Sequence, residues 1–452
     1  MAHSDLQKRR EIFLEFLYYV FDSLLIPLIR SNFHVTESNA HQNRLFYFRH
    51  DVWRTMTEPA MTNIKLTMFE DIKTLKAKKL LDARTLGFSQ IRLLPKVNGL
   101  RPITNLRRRV TKLQDGKVAL GRSVNSVMTP VFNALDFEKR REPGLIGSAL
   151  FSVGDMYPKL RAFATKLGCG NALNRTLYFA KADAKSCFDT IPQRKVVKLM
   201  EQITSGDVYR LARHSEIKCT RTYHYRRADD VEMLKPTRKF ITTAKAAIDF
   251  TTFDEFVDGG RADDKKNTIF VESVVPTSQK RERLLDLLEE HVQMNLLKVG
   301  KKFYRQKAGI PQGSVLSSLL CNFFYAQLEK EYFAFLEPDE SLLLRLIDDF
   351  LLITTNKDHA KRLLQTMHDG VEEYGVEVNP AKSLANFDVE INGHQVPRSM
   401  DDLKFPYCGN LIDTRTLTIT KDRDRRKRTG MASAIYRMTA LTRDSIGRHL
   451  DR

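Results

Sequence analysis

The chain has 452 residues, with 74 Lys plus Arg against 55 Asp plus Glu for a formal net charge of +19. Hydrophobic residues at 42% and aromatics at 9% exclude a wholly disordered chain, and the length suits about two to three domain-scale units. The basic excess points to a polyanionic partner, because lysine and arginine neutralise phosphates and release their counterions. Cys169, Cys187, Cys219, Cys321 and Cys408 lie far apart with no CxxC pair, which argues against structural zinc and a disulfide scaffold and for a reducing compartment.

In chain order, the apolar stretch 12–29 is interrupted by Glu15, Asp22 and Pro27. Its apolar residues recur at helical spacing, so it predicts a helix buried on one side rather than a membrane span, and no cleavable signal is evident. RSNFHVTESNAHQNRLFYFRHDVWRTM follows, with aromatic and polar residues alternating around the single tryptophan, Trp53. A lysine-rich helical stretch runs to about Leu86. Then come two short apolar runs joined by Asn98-Gly99, a hairpin signal. Residues 109–174 read as mostly helical.

TLYFAKADAKSCFDTIP, residues 176–192, predicts a buried strand ending in acidic residues. From about 208 to 268, β-prone and charged residues alternate, as in a surface insertion. RERLLDLLEEHVQMNLL reads as a helix stopped by Gly300. In QKAGIPQGSVLSSLLCNFFYAQLEK, Gly309, Pro311 and Gly313 punctuate a loop before an apolar helix beginning at Ser314. LLLRLIDDFLLITTN reads as strand, turn, strand with the aspartates at the turn. Helices mixed with short hairpins predict an α+β fold.

Asp-Asp pairs occur at 229–230, 263–264, 348–349 and 401–402, so the dipeptide alone says little. Asp348 and Asp349 differ from the other three pairs in lying between apolar runs. Adjacent carboxylates there repel each other and lose hydration, which costs several kcal/mol unless a cation offsets it. Asp183, at the end of an apolar strand, and Asp189 supply a second acidic site. Three carboxylates at the ends of neighbouring strands would hold two Mg²⁺ ions about 4 Å apart for in-line phosphoryl transfer.

Taken together, these stretches resemble a polymerase palm of the reverse transcriptase family, and within it the telomerase reverse transcriptases. FHVTE with FYFRHDVW resembles the telomerase T motif. LLPKVNGLRPITNL resembles motifs 1 and 2 of the fingers, FAKADAKSCFDTIPQ motif A, and GIPQGSVLSSLLCNFFY motif B. LLRLIDDFLLIT resembles motif C, VNPAKSLANF motif D, and FPYCGNLIDTRTL the motif E primer grip. Leu346 before the aspartates, Ser317-Ser318 after QGS, and a long interval between motifs A and B separate the chain from retroelement and intron enzymes. The DAKSCFD form of motif A and the basic character have a fungal look.

The resemblance implies a right-hand polymerase with fingers and palm, preceded by a helical remnant of the telomerase RNA-binding domain. The corresponding expectations are the end of that domain over 1–65, fingers over 66–175, palm over 176–420 with an insertion at about 205–275, and the start of a truncated thumb over 421–452. It implies that Asp183, Asp348 and Asp349 hold the metal ions with the backbone of Ala184, and that Lys382 donates a proton to the leaving pyrophosphate. Lys96 and Arg101 would hold the incoming triphosphate, and Phe188 would exclude a ribose 2′-hydroxyl. Gln312 and Gly313 would contact the nascent base pair, and Tyr407, Cys408 and Gly409 the primer end. Phe33, Thr36, Glu37, Tyr47, Arg49 and Trp53 would contact RNA. Arg107, Arg108, Arg109 and the run KDRDRRKR over 421–428 are candidates for the duplex backbone.

The implied activity is RNA-directed DNA synthesis at chromosome ends, in the nucleus. Two Mg²⁺ ions, telomerase RNA, a telomeric DNA primer with its RNA–DNA hybrid, dNTPs and accessory proteins would take part, and no membrane. The chain begins near the T motif and ends about 45 residues after the start of motif E, which reads as a truncated product. The competing expectations are a retroelement reverse transcriptase and an inactive, RNA-binding relative.

Overall fold

The apolar N-terminal stretch forms a continuous helical rod: His3–Tyr19, a π-helical segment Val20–Leu25, and Ile26–Asn32. Pro27 lies in the first turn of the last segment, directly after the π-helical turn, in which Ile26 N donates to Phe21 O. The structure, a computed structural model, describes residues 3–38, 44–96, 99–109, 111–114, 117–168, 176–221, 234–246, 267–399, 401 and 403–422. Asn98, Cys169 and the basic run from 423 onward lie outside the described residues.

Helicity of the first stretch is as expected, but burial on one side is not. Phe13, Phe16, Phe21 and Leu24 are all more than half exposed. An apolar stripe is buried only where another surface covers it, and the described residues supply none there. By length and composition alone the helix Ser4–Asn32 could cross a membrane.

The chain divides into two compact units, the first including Met1–Glu70 and Ile91–Thr104, the second Asp71–Gln90 and Asn105–Asp422. In the first, Phe33–Glu37 and Leu45–Arg49 pair antiparallel, with Phe33 opposite Arg49 and Val35 opposite Tyr47. The Asn98-Gly99 signal marks a real hairpin: Pro95 stands opposite Leu100, and the Lys96 amide donates to the Gly99 carbonyl at 2.9 Å.

The second unit is organised by a four-stranded sheet in the order Ser341–Leu346, Asp349–Thr354, Tyr178–Asp183, Leu384–Ala385. Its strands read as unbroken apolar runs because both faces are covered. Ala180, Ala182, Phe350 and Leu352 belong to one core with Phe324 and Tyr325 of the helix Ser317–Tyr332. Phe179, Leu351 and Ile353, of opposite parity, belong to another with Phe405, Tyr407 and Phe163. Each large apolar side chain buried this way contributes about 1.5–3 kcal/mol, so the sheet carrying the aspartates is fastened from both sides.

Three local expectations need correction. Residues 109–174 contain the helices Val124–Arg141 and Met156–Lys166, but also a hairpin of Thr111–Gln114 with Lys117–Leu120. The helix Arg281–Gln293 ends well before Gly300, which instead turns a hairpin in which Val299 faces Lys302. At φ +61 Gly300 occupies the left-handed region that this tight turn demands. The helix expected from Ser314 starts at Ser317; Ser314 sits in the preceding turn, where its Oγ accepts from the Leu316 amide at 3.2 Å. The long insertion is β-structured as expected, an antiparallel sheet in which Val208–Arg221 lies between Leu234–Ala246 and Thr268–Lys280.

Candidate active site

The strand Tyr178–Asp183 and the strand Asp349–Thr354 run antiparallel in a register that places Asp183 directly opposite Asp349. Two carboxylates at facing positions share one side of the sheet and crowd each other. Asp348 occupies the turn just before, and its carbonyl accepts from the Ala184 amide at 3.0 Å. All three predicted aspartates are thereby tied to two adjoining backbones. Ile347, which starts the turn, has φ +61, a costly conformation for a β-branched residue.

The charges around them follow. Burial raises the Asp349 carboxyl above the ordinary range, nearby Lys181 opposes this, and Asp183 and Asp348 add to it. Lys382 donates to Asp183 Oδ2 at 2.5 Å, a bond that holds its ammonium charged. Lys181 Nζ lies 3.9 Å from Asp349 Oδ1. Sequence reasoning missed Lys181, although its position two residues before Asp183 on a strand places it on the same face. No three acidic, His or Cys side chains among the described residues converge as a ready-made metal site. The donor set nonetheless suits a hard divalent cation: crowded carboxylate oxygens at strand ends, with a raised carboxyl that an added positive charge would relieve.

The loop before the Ser317 helix packs onto the segment after Asp183. Ile310 N donates to Phe188 O at 2.7 Å, and Gln312 Nε2 donates to Asp189 Oδ1 at 2.7 Å. Asp189, which the sequence paired with Asp183 as a second acidic site, thus binds this loop. Gly309 has φ +68, and a side chain there would run into the backbone of Phe188 and Asp189. Asn125 pins Gly313 from the far side, with Nδ2 to Gly313 O at 3.0 Å and Val315 N to its Oδ1 at 3.2 Å. Half-buried Phe188 packs against the main core. These contacts gather Phe188, Gln312, Gly313 and Asn125 around one loop.

Tyr407 differs from its expected place at a primer end. It is 1% exposed, and its hydroxyl donates to Asp349 O at 2.8 Å while accepting from Leu346 N at 3.2 Å. A phenol so enclosed braces the aspartate hairpin from below. Cys408, at φ 47, points its thiol at Asp349 Oδ2, 3.7 Å away, and burial, then Asp349, pushes that thiol up to about 12. Gly409 follows at φ +80, its carbonyl accepting from Asp422 N at 3.1 Å.

The remaining candidates lie in the first unit. Lys96 is exposed at the end of its hairpin, and Arg101 stands opposite Leu94. Strand alternation puts Phe33, Glu37, Tyr47 and Arg49 on one exposed face of the N-terminal hairpin. Thr36 is fully buried on the other face, so it supports the hairpin instead of offering a contact. Trp53 stacks on His34 with centroids 4.1 Å apart and meets Phe48 at 5.2 Å. His34 was not singled out by the sequence, though its alternation with Thr36 places both on the side facing Trp53.

Comparison with known proteins bears on all of this. Residues 1–64 match a family described as the RNA binding domain of the telomerase ribonucleoprotein complex, and residues 274–405 match reverse transcriptase (RNA-dependent DNA polymerase). The rat (Rattus norvegicus) telomerase reverse transcriptase is 31% identical over 92% of this chain, and that of mouse (Mus musculus) 32% over 92%. The chain spans 37% of the length of each of these relatives. Among solved structures, apo telomerase from Candida tropicalis superposes with a TM-score of 0.64 at 21% identity, covering 93% of this chain and 61% of that one, a likeness of fold. The expected α+β reverse transcriptase fold is present, and the match over 1–64 gives the exposed N-terminal helix a setting within an RNA-binding domain. With both matches in the expected order and related sequence across nearly its whole length, the chain is similar to the telomerase reverse transcriptases.

Proposed function

We propose that the chain is the polymerase portion of a telomerase reverse transcriptase: it extends a telomeric DNA primer by copying a template within a bound telomerase RNA. The observation that carries this reading is the facing pair Asp183 and Asp349 with Asp348 in the adjoining turn, in a chain that also matches the telomerase RNA-binding domain.

Asp183, Asp348 and Asp349, with the carbonyl of Ala184, would hold two divalent cations, Mg²⁺ in this reading. Such ions supply Lewis-acid polarisation of the triphosphate and a lowered pKa for the primer hydroxyl. Lys96 and Arg101 would position the incoming triphosphate and offset its charge. Phe188, packed firmly against the core, would crowd a 2′-hydroxyl. Gln312, fixed by Asp189, and Gly313 would border the nascent pair. Lys382, already drawn to Asp183, would stand ready to protonate pyrophosphate. Cys408 and Gly409 would approach the primer end, with Tyr407 holding the hairpin beneath. The exposed face bearing Phe33, Glu37, Tyr47 and Arg49 would meet telomerase RNA, and Trp53 would brace it. A nuclear, telomeric location and accessory subunits follow from this role.

The test is primer extension by the chain reconstituted with telomerase RNA. Products growing in steps of the template length are expected. Continuous copying of any supplied template would place the chain with retroelement enzymes, and RNA binding with no extension would place it with inactive relatives.

A further inference from the structure

A buried guanidinium lies directly beneath the aspartate turn. Arg345, on the strand Ser341–Leu346, is 0% exposed, an extreme rarity for arginine unless every donor is engaged. Nε donates to Glu329 Oε1 at 2.5 Å. Nη1 donates to Asn322 Oδ1 at 2.8 Å and Ile347 O at 3.3 Å. Nη2 donates to Ile146 O at 3.2 Å and Asn322 O at 3.1 Å. These contacts give each of the five guanidinium N–H groups an acceptor. The Tyr325 and Phe350 rings flank it, each 5.7 Å from the guanidinium carbon.

The surrounding chain is shaped to keep Glu329 in place. Ser148 donates from N to Oε2 and from Oγ to Oε1 of Glu329, both at 2.7 Å. Gly147, at φ +55, approaches that carboxylate so closely that any side chain would collide with it. Lys159 Nζ caps the Ser148 and Ala149 carbonyls at 3.2 and 3.1 Å. The strand is held as well, by Leu150 N to Arg345 O at 2.7 Å and Arg345 N to Ser148 O at 3.2 Å.

An ion pair this deep is weak evidence for stability alone, since apolar replacements of similar volume often serve as well. What apolar residues could not supply is the bond to the Ile347 carbonyl. Ile347 is the β-branched residue held at positive φ whose conformation turns the chain into Asp348. Such a backbone persists only where its surroundings over-determine it. We propose that Arg345 is a positioning residue for the polymerase reaction: through Ile347 it fixes the turn that aims Asp348, with Glu329, Asn322 and the 146–148 segment holding the guanidinium in register. This rests on the polymerase reading given above.

The experiment compares the full chain, reconstituted with telomerase RNA, with Arg345→Lys and with the double variant Arg345→Met/Glu329→Met. The lysine keeps the charge opposite Glu329 but cannot reach the acceptors that a planar fork serves; the double variant removes both charges together. Melting temperature, RNA affinity, kcat, KM for dNTP and hydrogen exchange of the 347–349 and 184 amides are measured. For either folded variant, the expected result is a kcat at least tenfold lower with KM and RNA affinity within threefold of wild type, and faster exchange at the Ala184 amide that bonds to Asp348. Should the double variant fail to fold, Arg345→Lys alone carries the test. A folded variant whose kcat stays within twofold of wild type, or whose exchange at 184 is unchanged, overturns the proposal. An inactive wild-type chain would count against the polymerase reading instead.

Discussion

Asp183 and Asp349 stand opposite each other at the ends of two antiparallel strands, and a lysine answers each of them: Lys382 at 2.5 Å from Asp183 and Lys181 at 3.9 Å from Asp349. Crowded like charges at such a position lower stability, and they are kept for what they can bind. Replacing Asp349 with Asn should therefore abolish primer extension while leaving the melting temperature equal to or above that of wild type. Thermal unfolding checks this, and a marked fall in melting temperature would instead assign Asp349 a structural role.

The Tyr407 hydroxyl joins Leu346 N to Asp349 O across the base of the hairpin. Tyr407→Phe keeps the ring and leaves two buried backbone groups with one partner fewer. That should cost about 1–3 kcal/mol in denaturant unfolding, with a larger proportional loss of extension than of RNA binding. An unchanged unfolding midpoint would show that the phenol is dispensable.

Gly309 lets the loop before the Ser317 helix lie on the Phe188 and Asp189 backbone. Gly309→Ala adds both a collision and the strain of an ordinary residue at φ +68, and should destabilise by about 1–3 kcal/mol. Because the same loop carries Gln312, dNTP selectivity should fall as well, measured as the ratio of kcat/KM for dNTP and the matching rNTP.

His291 is buried at 1% exposure, with Nε2 2.8 Å from Ser314 Oγ. Burial first, then the Arg84 guanidinium, push its pKa down from 6.5 to about 4; Arg84 itself faces Glu290 at 3.4 Å. The unfolded chain takes up the proton first as pH falls, so this contribution is whole above about pH 6.5 and is lost between there and pH 4. The loss approaches at most about 3 kcal/mol. His291→Gln should flatten the stability profile across that window, and a profile of unchanged slope would remove His291 as its source.

On the N-terminal hairpin, Tyr47→Ala should weaken RNA binding without changing the fold, since the side chain is 53% exposed. Trp53→Ala removes the stacks on His34 and Phe48, together worth about 1–3 kcal/mol, and should lower RNA affinity through loss of the hairpin's shape. Circular dichroism separates the two, and equal structural loss in both variants would contradict this division.

Much of the palm was readable from sequence because its signals are local. An apolar run ending in Asp183, and two aspartates between apolar runs, leave few other arrangements that avoid isolated buried charge. The hairpin pairing of Pro95 with Leu100 was legible because its signal is local too. Arg345 was not, because its partner Glu329 lies on a different element and its burial depends on Gly147 and Ser148 nearly two hundred residues earlier in the chain. Tyr407 likewise reads as a surface aromatic until the sheet above it is built. Gly300 looked like a helix stop because a glycine after leucines serves a helix end or a two-residue hairpin equally well. The helix 12–29 carried an apolar stripe, but a stripe says only that something can cover it.

The most direct measurement is primer extension by the chain bound to telomerase RNA, wild type against Asp348→Ala, with RNA affinity followed in parallel. A ladder of products with the template's period, lost entirely in the variant at undiminished RNA affinity, is the predicted result. Extension that survives the substitution would contradict the assignment of these aspartates to catalysis.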